Sequence, residues 1–413
     1  MKSEQQTIQA RPYILKNKIQ NYEWGARGKD AVIPSLLGFE PEEGKPYAEL
    51  WIGAHPKASS VVEFNETEIP LNEFVKQDPE GILGIEAAKK FANKLPFLLK
   101  VLSEAEALSI QAHPDLEKAA ILHKKDPKNY PDDNHKPEIA IALDSLTALA
   151  GFKPFDEFLD TIKKYKGLCD LIGFSKITEA EKQANDSEVE KSSIVKSLYE
   201  SIMKASVSDP KKLQKAIEEI KSEILNRSIK ERKKEEIIFL ELEKKYGSDV
   251  GLISVLIFNL LELNEGEAIF LNAGIPHAYL KGNIVECMAN SDNVVRAGLT
   301  PKFKDIDSLL YILSDDIRPV EKMASSEKSS ETKYNVPIGE FDITRFKFSK
   351  AEKRVLSNDS ASIILVMKGE ISLSFGEEVI VIKKGDTVLL PAMLKEFSAD
   401  FSINSLAFKV SIP

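Results

Sequence analysis

Two stretches of the chain alternate strictly between apolar and polar side chains, the period-two signature of half-buried strands. In Ala107-Leu-Ser-Ile-Gln-Ala-His113, Leu108 and Ile110 point one way while Ser109, Gln111 and His113 point the other. After Lys136-Pro137, Ile139, Ile141 and Leu143 make one face, and Lys136, Glu138, Ala140 and Ala142 the other. Polar groups able to coordinate an ion therefore share a strand face whose back is apolar. Small alanines beside the charges leave room for something that is not protein. A different period governs residues 210–225, where Leu213, Ile217, Ile220 and Ile224 recur at three-to-four spacing. That spacing predicts an amphipathic helix, with Ser208-Asp209-Pro210 supplying the cap and a first-turn proline.

Along the whole chain the texture changes twice. Residues from about 11 to 155 read as short strands separated by Gly and Pro signals, which points to a β-sandwich or barrel. From Asp156 to Lys245 the pattern turns helical, with the Lys/Glu-rich stretch Glu181 to Ser193 read as a solvated linker. Strand texture returns near Gly251 and dominates the last quarter. Gly266 to His277 and Gly385 to Glu396 share a plan: Gly, acid, apolar run, Pro, and a terminal polar residue. This predicts one strand-turn-strand unit used twice, with a metal ligand kept only in the first copy, and hence two jelly-roll barrels of which one carries a site.

Length and composition narrow the classes. A chain of 413 residues is long for one core, and its 43% hydrophobic and 29% charged content is that of a globular protein. No apolar run reaches membrane-span length and the N-terminus has no signal-peptide core, so the expectation is a cytoplasmic protein with no membrane partner. Two cysteines cannot build a disulfide framework, in keeping with a reducing compartment. A net charge of -9 argues against nucleic acid as a partner and requires any anionic ligand to be met by a local cation cluster.

The chain has five histidines, and His113 and His277 join Gln111 and Glu138 as a candidate four-ligand set for one Zn²⁺. Imidazole and carboxylate suit zinc, and the amide oxygen of Gln111 is a weaker neutral donor. Lys100 interrupts the apolar run Leu95 to Leu102, so it sits at a strand end or faces a polar cavity. Lys136 shares the Glu138 face, and Arg296 and Lys302 fall in a polar, punctuated loop. Such cations, with Ser109, would suit a phosphate-bearing ligand. Glu286 lies between Val285 and Cys287 and is read as buried. His123 is read as a surface residue of a helix, while His55, Trp24 and Trp51 are compatible with closing a sheet.

Gln-Ala-His-Pro, Asn-His-Lys-Pro-Glu, Pro-His-Ala-Tyr and the run from Glu286 to Lys302 resemble type I mannose-6-phosphate isomerase (phosphomannose isomerase), as do Asn21 to Gly25 and Glu49 to Pro56. The resemblance runs from about residue 11 to the C-terminus. It implies a mainly β bicupin with a helical insertion: a catalytic cupin domain of residues 1–155 with 251–325, a helical domain of 156–250 and a degenerate C-terminal barrel of 326–413. It implies a zinc enzyme that interconverts mannose 6-phosphate and fructose 6-phosphate through a cis-enediol, feeding GDP-mannose synthesis, and the chain is expected to be a monomer. Its zinc ligands fall on Gln111, His113, Glu138 and His277, and its catalytic arginine on Arg296. Lys136, Glu286, Tyr279, Lys302, Lys100 and Ser109 match pocket positions. Glu286 is then the candidate base, and His135 or His55 would assist ring opening, since imidazole titrates near neutrality. Lys57-Ala-Ser-Ser60 departs from the Arg or Gly of many members. A mononuclear iron oxygenase and a non-enzymatic sugar-binding bicupin are the alternatives; Gln111 and the lysines count against the first, and the intact ligand set against the second.

Overall fold

The strand His277–Ala289 is the longest among the described residues and organises the site. The computed structural model describes residues 7–183, 187–316, 318–324 and 330–413. The first part of this strand pairs antiparallel with Leu146–Phe152 and, at His277, with Ile110–Ala112. The remainder pairs with Phe97–Glu104 on one side and Glu138–Ala142 on the other. Gly282 makes the change of direction possible. Its φ is +146°, and a Cβ there would meet the Leu146 Cα and the Ser145 carbonyl at 2.9 Å. A register shift beside it lets His277 and Tyr279 face inward before the bend, and Glu286 and Met288 after it. A regular strand could not do this, because odd and even residues face opposite ways.

The fold is mixed α/β and sheet-rich. Among the described residues, eleven strands form the sheet around His277–Ala289, eight form a second sheet, four a third and two a fourth. Alternation decides what packs between them. Leu99, Val101, Ile139, Ile141, Val285 and Cys287 turn outward into one core with Ile343, Ile363, Leu389 and Phe408 of the eight-stranded sheet. Their neighbours Lys100, Glu138 and Glu286 therefore turn inward.

Several expectations change. The eight-stranded sheet is not purely C-terminal: Tyr13–Lys16 pairs with Thr387–Leu390, and Val61–Phe64 and Thr67–Pro70 extend it. It thus crosses the division between residues 1–155 and 326–413, a boundary that itself falls within 325–329, outside the described residues. Short helices, including Val32–Leu37, Leu71–Gln77 and Leu116–Lys125, punctuate the region read as strands. Gly251–Ile257 is a helix, not the start of strand texture; every residue is buried, so no amphipathic period marks it. The stretch read as a linker is largely helical, within Phe174–Gln183 and Glu188–Ser208, because Ile177, Ala180, Ile194, Val195 and Leu198 bury among the charges; residues 184–186 lie outside the described set. Helix Pro210–Leu225 forms as expected, and Asp209 accepts from the Lys212 amide.

Candidate active site

Register brings the polar residues together. Gln111 lies opposite His277 on one side and Arg296 on the other, and Glu286 lies opposite both Lys100 and Ala140. Glu138 projects from the adjacent strand. Its two oxygens stand 3.4 Å from His113 Nε2 and 3.1 Å from His277 Nε2, and the Gln111 amide nitrogen is 3.4 Å from His277 Nε2. Ligands at zinc distances of about 2.0–2.2 Å in a tetrahedron sit about 3.4 Å apart, so the Glu138–histidine spacings fit one ion, and a half-turn of the Gln111 amide exchanges its nitrogen for the oxygen that would ligate.

The hydrogen bonds behind the ligands fit as well. His113 Nδ1 donates to the Asn293 carbonyl at 2.7 Å and His277 Nδ1 to the Ile275 carbonyl at 2.9 Å. A carbonyl only accepts, so the proton sits on Nδ1 and the Nε2 lone pairs turn toward Glu138. The Asn293 side chain is tied in turn to the Asp132 and Asn134 carbonyls. Burial holds the His113 imidazole down at about 4, with the Lys136 charge acting in the same direction, so it stays neutral and able to ligate. Burial alone would raise the Glu138 carboxyl, but Lys136 and His277 hold it well below the usual range. Among the described residues His113, Glu138 and His277 form a metal-competent group, fully buried.

A cavity of about 430 Å³ opens beside this group. Its wall carries Lys100, paired with Glu286 at 2.9 Å and Glu49 at 3.4 Å, while Lys136 donates to Glu138 at 2.8 Å. Burial disfavours the charge on Lys100, yet Glu286 and Glu49 outweigh it and raise its pKa. Burial pushes the Glu286 carboxyl up; Lys100 opposes this, and Glu138 adds to the rise. Arg296 and Lys302 also line the cavity, and neither side chain has a hydrogen-bond or ion-pair partner among the described residues. Two unpaired cations in a cavity otherwise rich in ion pairs make a place for an anion.

A model of the catalytic domain of type I phosphomannose isomerase matches residues 13–155. Mannose-6-phosphate isomerase of Rattus norvegicus is 37% identical to the chain, covering 92% of it and 95% of the relative. The chain belongs to the mannose-6-phosphate isomerase family. The Saccharomyces cerevisiae member is 38% identical, with 85% of this chain and 86% of that protein covered. Among solved structures, a zinc-bound holo form of mannose 6-phosphate isomerase superposes with a TM-score of 0.83 at 29% identity, covering 97% of this chain and 99% of that one. A variant of phosphomannose isomerase from Salmonella typhimurium gives 0.83 at 29%, covering 97% and 100%.

Against this family background, the residues singled out in the sequence fall into three groups. Gln111, His113, Glu138 and His277 converge, with Lys136 and Tyr279 bonded to Glu138. Tyr279 donates to Glu138 at 2.9 Å, and burial followed by the Glu138 charge keeps its hydroxyl protonated. Lys100, Ser109, Glu286, Arg296 and Lys302 line the adjoining cavity. His135 is drawn elsewhere: its Nε2 meets Glu340 at 2.9 Å, and it does not line the cavity. His55 also lies outside the cavity but touches Asp292 of its wall at 3.4 Å. His123 sits on helix Leu116–Lys125, half-buried, its Nδ1 donating to the Tyr130 carbonyl at 2.7 Å.

Other wall residues were not singled out as site residues. Glu49 and Trp51 alternate on one strand face, a signal available in Glu49-Leu-Trp-Ile-Gly53. Asp292 lies inside the polar loop already suspected; His55 and Lys57 hold its carboxylate low against the effect of burial. Lys245 and Tyr246 gave no signal, because they end a lysine-rich helix remote in sequence.

Proposed function

We propose that the chain is a zinc-dependent isomerase interconverting mannose 6-phosphate and fructose 6-phosphate through a cis-enediol. The observation that carries this is the four-donor group Gln111, His113, Glu138 and His277 at the wall of a cavity with unpaired Arg296 and Lys302. Those four residues would hold one Zn²⁺, which when bound supplies Lewis-acid polarisation of the sugar's carbonyl and adjacent hydroxyl. Glu286 is the candidate base that carries the proton between C2 and C1; its raised pKa suits a group that must both take and return it. Lys100, at 2.9 Å, orients it. Arg296 faces the developing negative charge without a competing carboxylate. Lys136 and Tyr279 fix Glu138. Ser109 and Lys302 are the free donors for the phosphate, because Lys100 and Tyr279 are already engaged beside the donor group. A part for His135 in ring opening requires it to leave Glu340.

The finer architecture belongs to the same proposal. The eleven-stranded system and the C-terminal sheets are read as two jelly-roll barrels of a bicupin, the helical block of residues 156–250 being inserted within the first. The repeated strand-turn-strand unit supports that assignment. We further read the chain as a cytoplasmic monomer. Both cysteines are buried and free, and among the described residues no helix is long and apolar enough to cross a membrane.

A coupled assay for fructose 6-phosphate formation, run before and after chelation, tests the function. Turnover should vanish with the metal and return with added zinc. No product from metal-replete protein would refute the assignment, and iron as the native metal would revive an oxygenase.

A further inference from the structure

Helix Lys234–Tyr246 of the helical block ends against the cavity, where Lys245 and Tyr246 form part of its wall. Lys245 Nζ meets Glu106 Oε2 at 2.5 Å, and the Tyr246 hydroxyl donates to the Ala107 carbonyl at 3.4 Å. A few residues on, Asp249 accepts from the Leu299 amide at 2.7 Å. Gly298 pairs with Ile110, so the loop through Lys302 continues alongside Ser109. Three segments remote in sequence are thus tied together in the cavity wall, and two of them carry Ser109 and Lys302. The Lys245 and Glu106 side chains remain 44% and 43% exposed, so water screens their attraction and the pair is readily exchanged.

We propose that Lys245 is a recognition residue for the substrate's phosphate and that Glu106 holds its place until the substrate arrives. The inference rests on the isomerase assignment above and extends it to a residue of the helical block. A phosphate dianion brings three acceptor oxygens and more charge than one carboxylate, so it displaces Glu106 from Lys245 and binds with Lys302 and Ser109. Glu106 turns to the solvent it already touches. An unphosphorylated hexose has no anion to offer, and the Glu106–Lys245 tie stays intact against it. The helical block thereby contributes to selection for phosphorylated sugars.

Steady-state kinetics of the zinc-loaded full chain test this with Lys245→Gln and Glu106→Gln, folding being checked by thermal midpoint. Lys245→Gln should raise KM for mannose 6-phosphate roughly tenfold, and Glu106→Gln should lower it about two- to threefold, each with a smaller change in kcat. Opposite signs are the signature of competition. Both substitutions break the same pair, so KM moving the same way in both, or not at all, would reduce the contact to a structural tie and overturn the proposal. In parallel, inorganic phosphate should raise the thermal midpoint of the wild type, less in Lys245→Gln and more in Glu106→Gln; equal shifts in all three would also overturn it. If the wild type makes no fructose 6-phosphate, the isomerase assignment fails alone and the phosphate-shift comparison still decides the role of Lys245.

Discussion

The strand-turn-strand units beginning at Gly266 and Gly385 share a backbone plan and enclose opposite interiors. Both glycines have positive φ, +83° and +92°. One unit runs from Ala268–Leu271 into His277–Ala289, the other from Thr387–Leu390 into Lys395–Phe401. His277 is buried against Glu138, whereas Glu396, at the matching offset, is exposed. Around the first lie a carboxylate, two imidazoles and several lysines. Around the second lie Phe346, Phe348, Phe397 and Phe401, with the Phe348 and Phe401 rings 4.7 Å apart. Burying the Lys100–Glu286 and Lys136–Glu138 pairs carries a desolvation cost that such pairs recover only in part. The aromatic unit carries no such cost. Where one backbone plan occurs twice, chemistry is concentrated in one copy and packing in the other.

The contrast can be broken most severely at Glu138. Glu138→Ala should abolish stoichiometric zinc and lower turnover by about 10³-fold, as read by metal analysis and the coupled assay; an active, metal-replete variant would remove the ligand role. Phe401→Ala should act in the other currency, costing about 3–5 kcal/mol of stability by denaturant titration while turnover per folded molecule holds. A specific loss of catalysis there would mean the two interiors communicate. Arg296→Ala should reduce kcat by about 10²-fold with zinc retained, and metal loss in that variant would count against a role in charge stabilisation. A pH effect is expected in chelated protein. His113 titrates at about 4 when folded against an ordinary 6.5, so the folded state binds fewer protons in that interval. The thermal midpoint should therefore be fully supported above pH 6.5 and fall as pH drops toward 4, a slope that His113→Asn should flatten. The smallest effect is expected from Glu396→His, which restores the residue type of the first unit. Its side chain faces solvent over an apolar interior, so stability should change by less than about 0.5 kcal/mol and zinc should stay at one per chain; a second equivalent would show the units to be closer than their interiors suggest.

Much of the donor set was legible because period-two alternation needs only a strand. Ser109, Gln111 and His113 around one segment, and Lys136 and Glu138 on another, could be placed on a common face without knowing the topology. What the pattern could not show was anything that depends on long-range register. The bend at Gly282, which turns Tyr279 and Glu286 to the same side, comes from a pairing shift against Leu146–Phe152. Gly251–Ile257 is apolar on every side and so carries no period that separates helix from strand. His135 has the residue type for proton chemistry, yet Glu340, more than two hundred residues on, takes its Nε2. Lys245 looks like any lysine at a helix end until Glu106 is seen opposite it.

The pairing of Tyr13 with Leu389 has a consequence for how the polypeptide is made. Leu389 is made about 20–75 s after Tyr13 at ~5–20 residues per second, so one edge of the strand Tyr13–Lys16 waits that long, while its other edge meets Val61 and Val62 early. Until then the ribbon of Tyr13–Lys16, Val61–Phe64 and Thr67–Pro70 has that edge open, with Tyr13 covered by Phe64 and Phe74. An open edge invites mispairing, so a nascent chain of this kind gains from holdase protection until Thr387–Leu390 closes it.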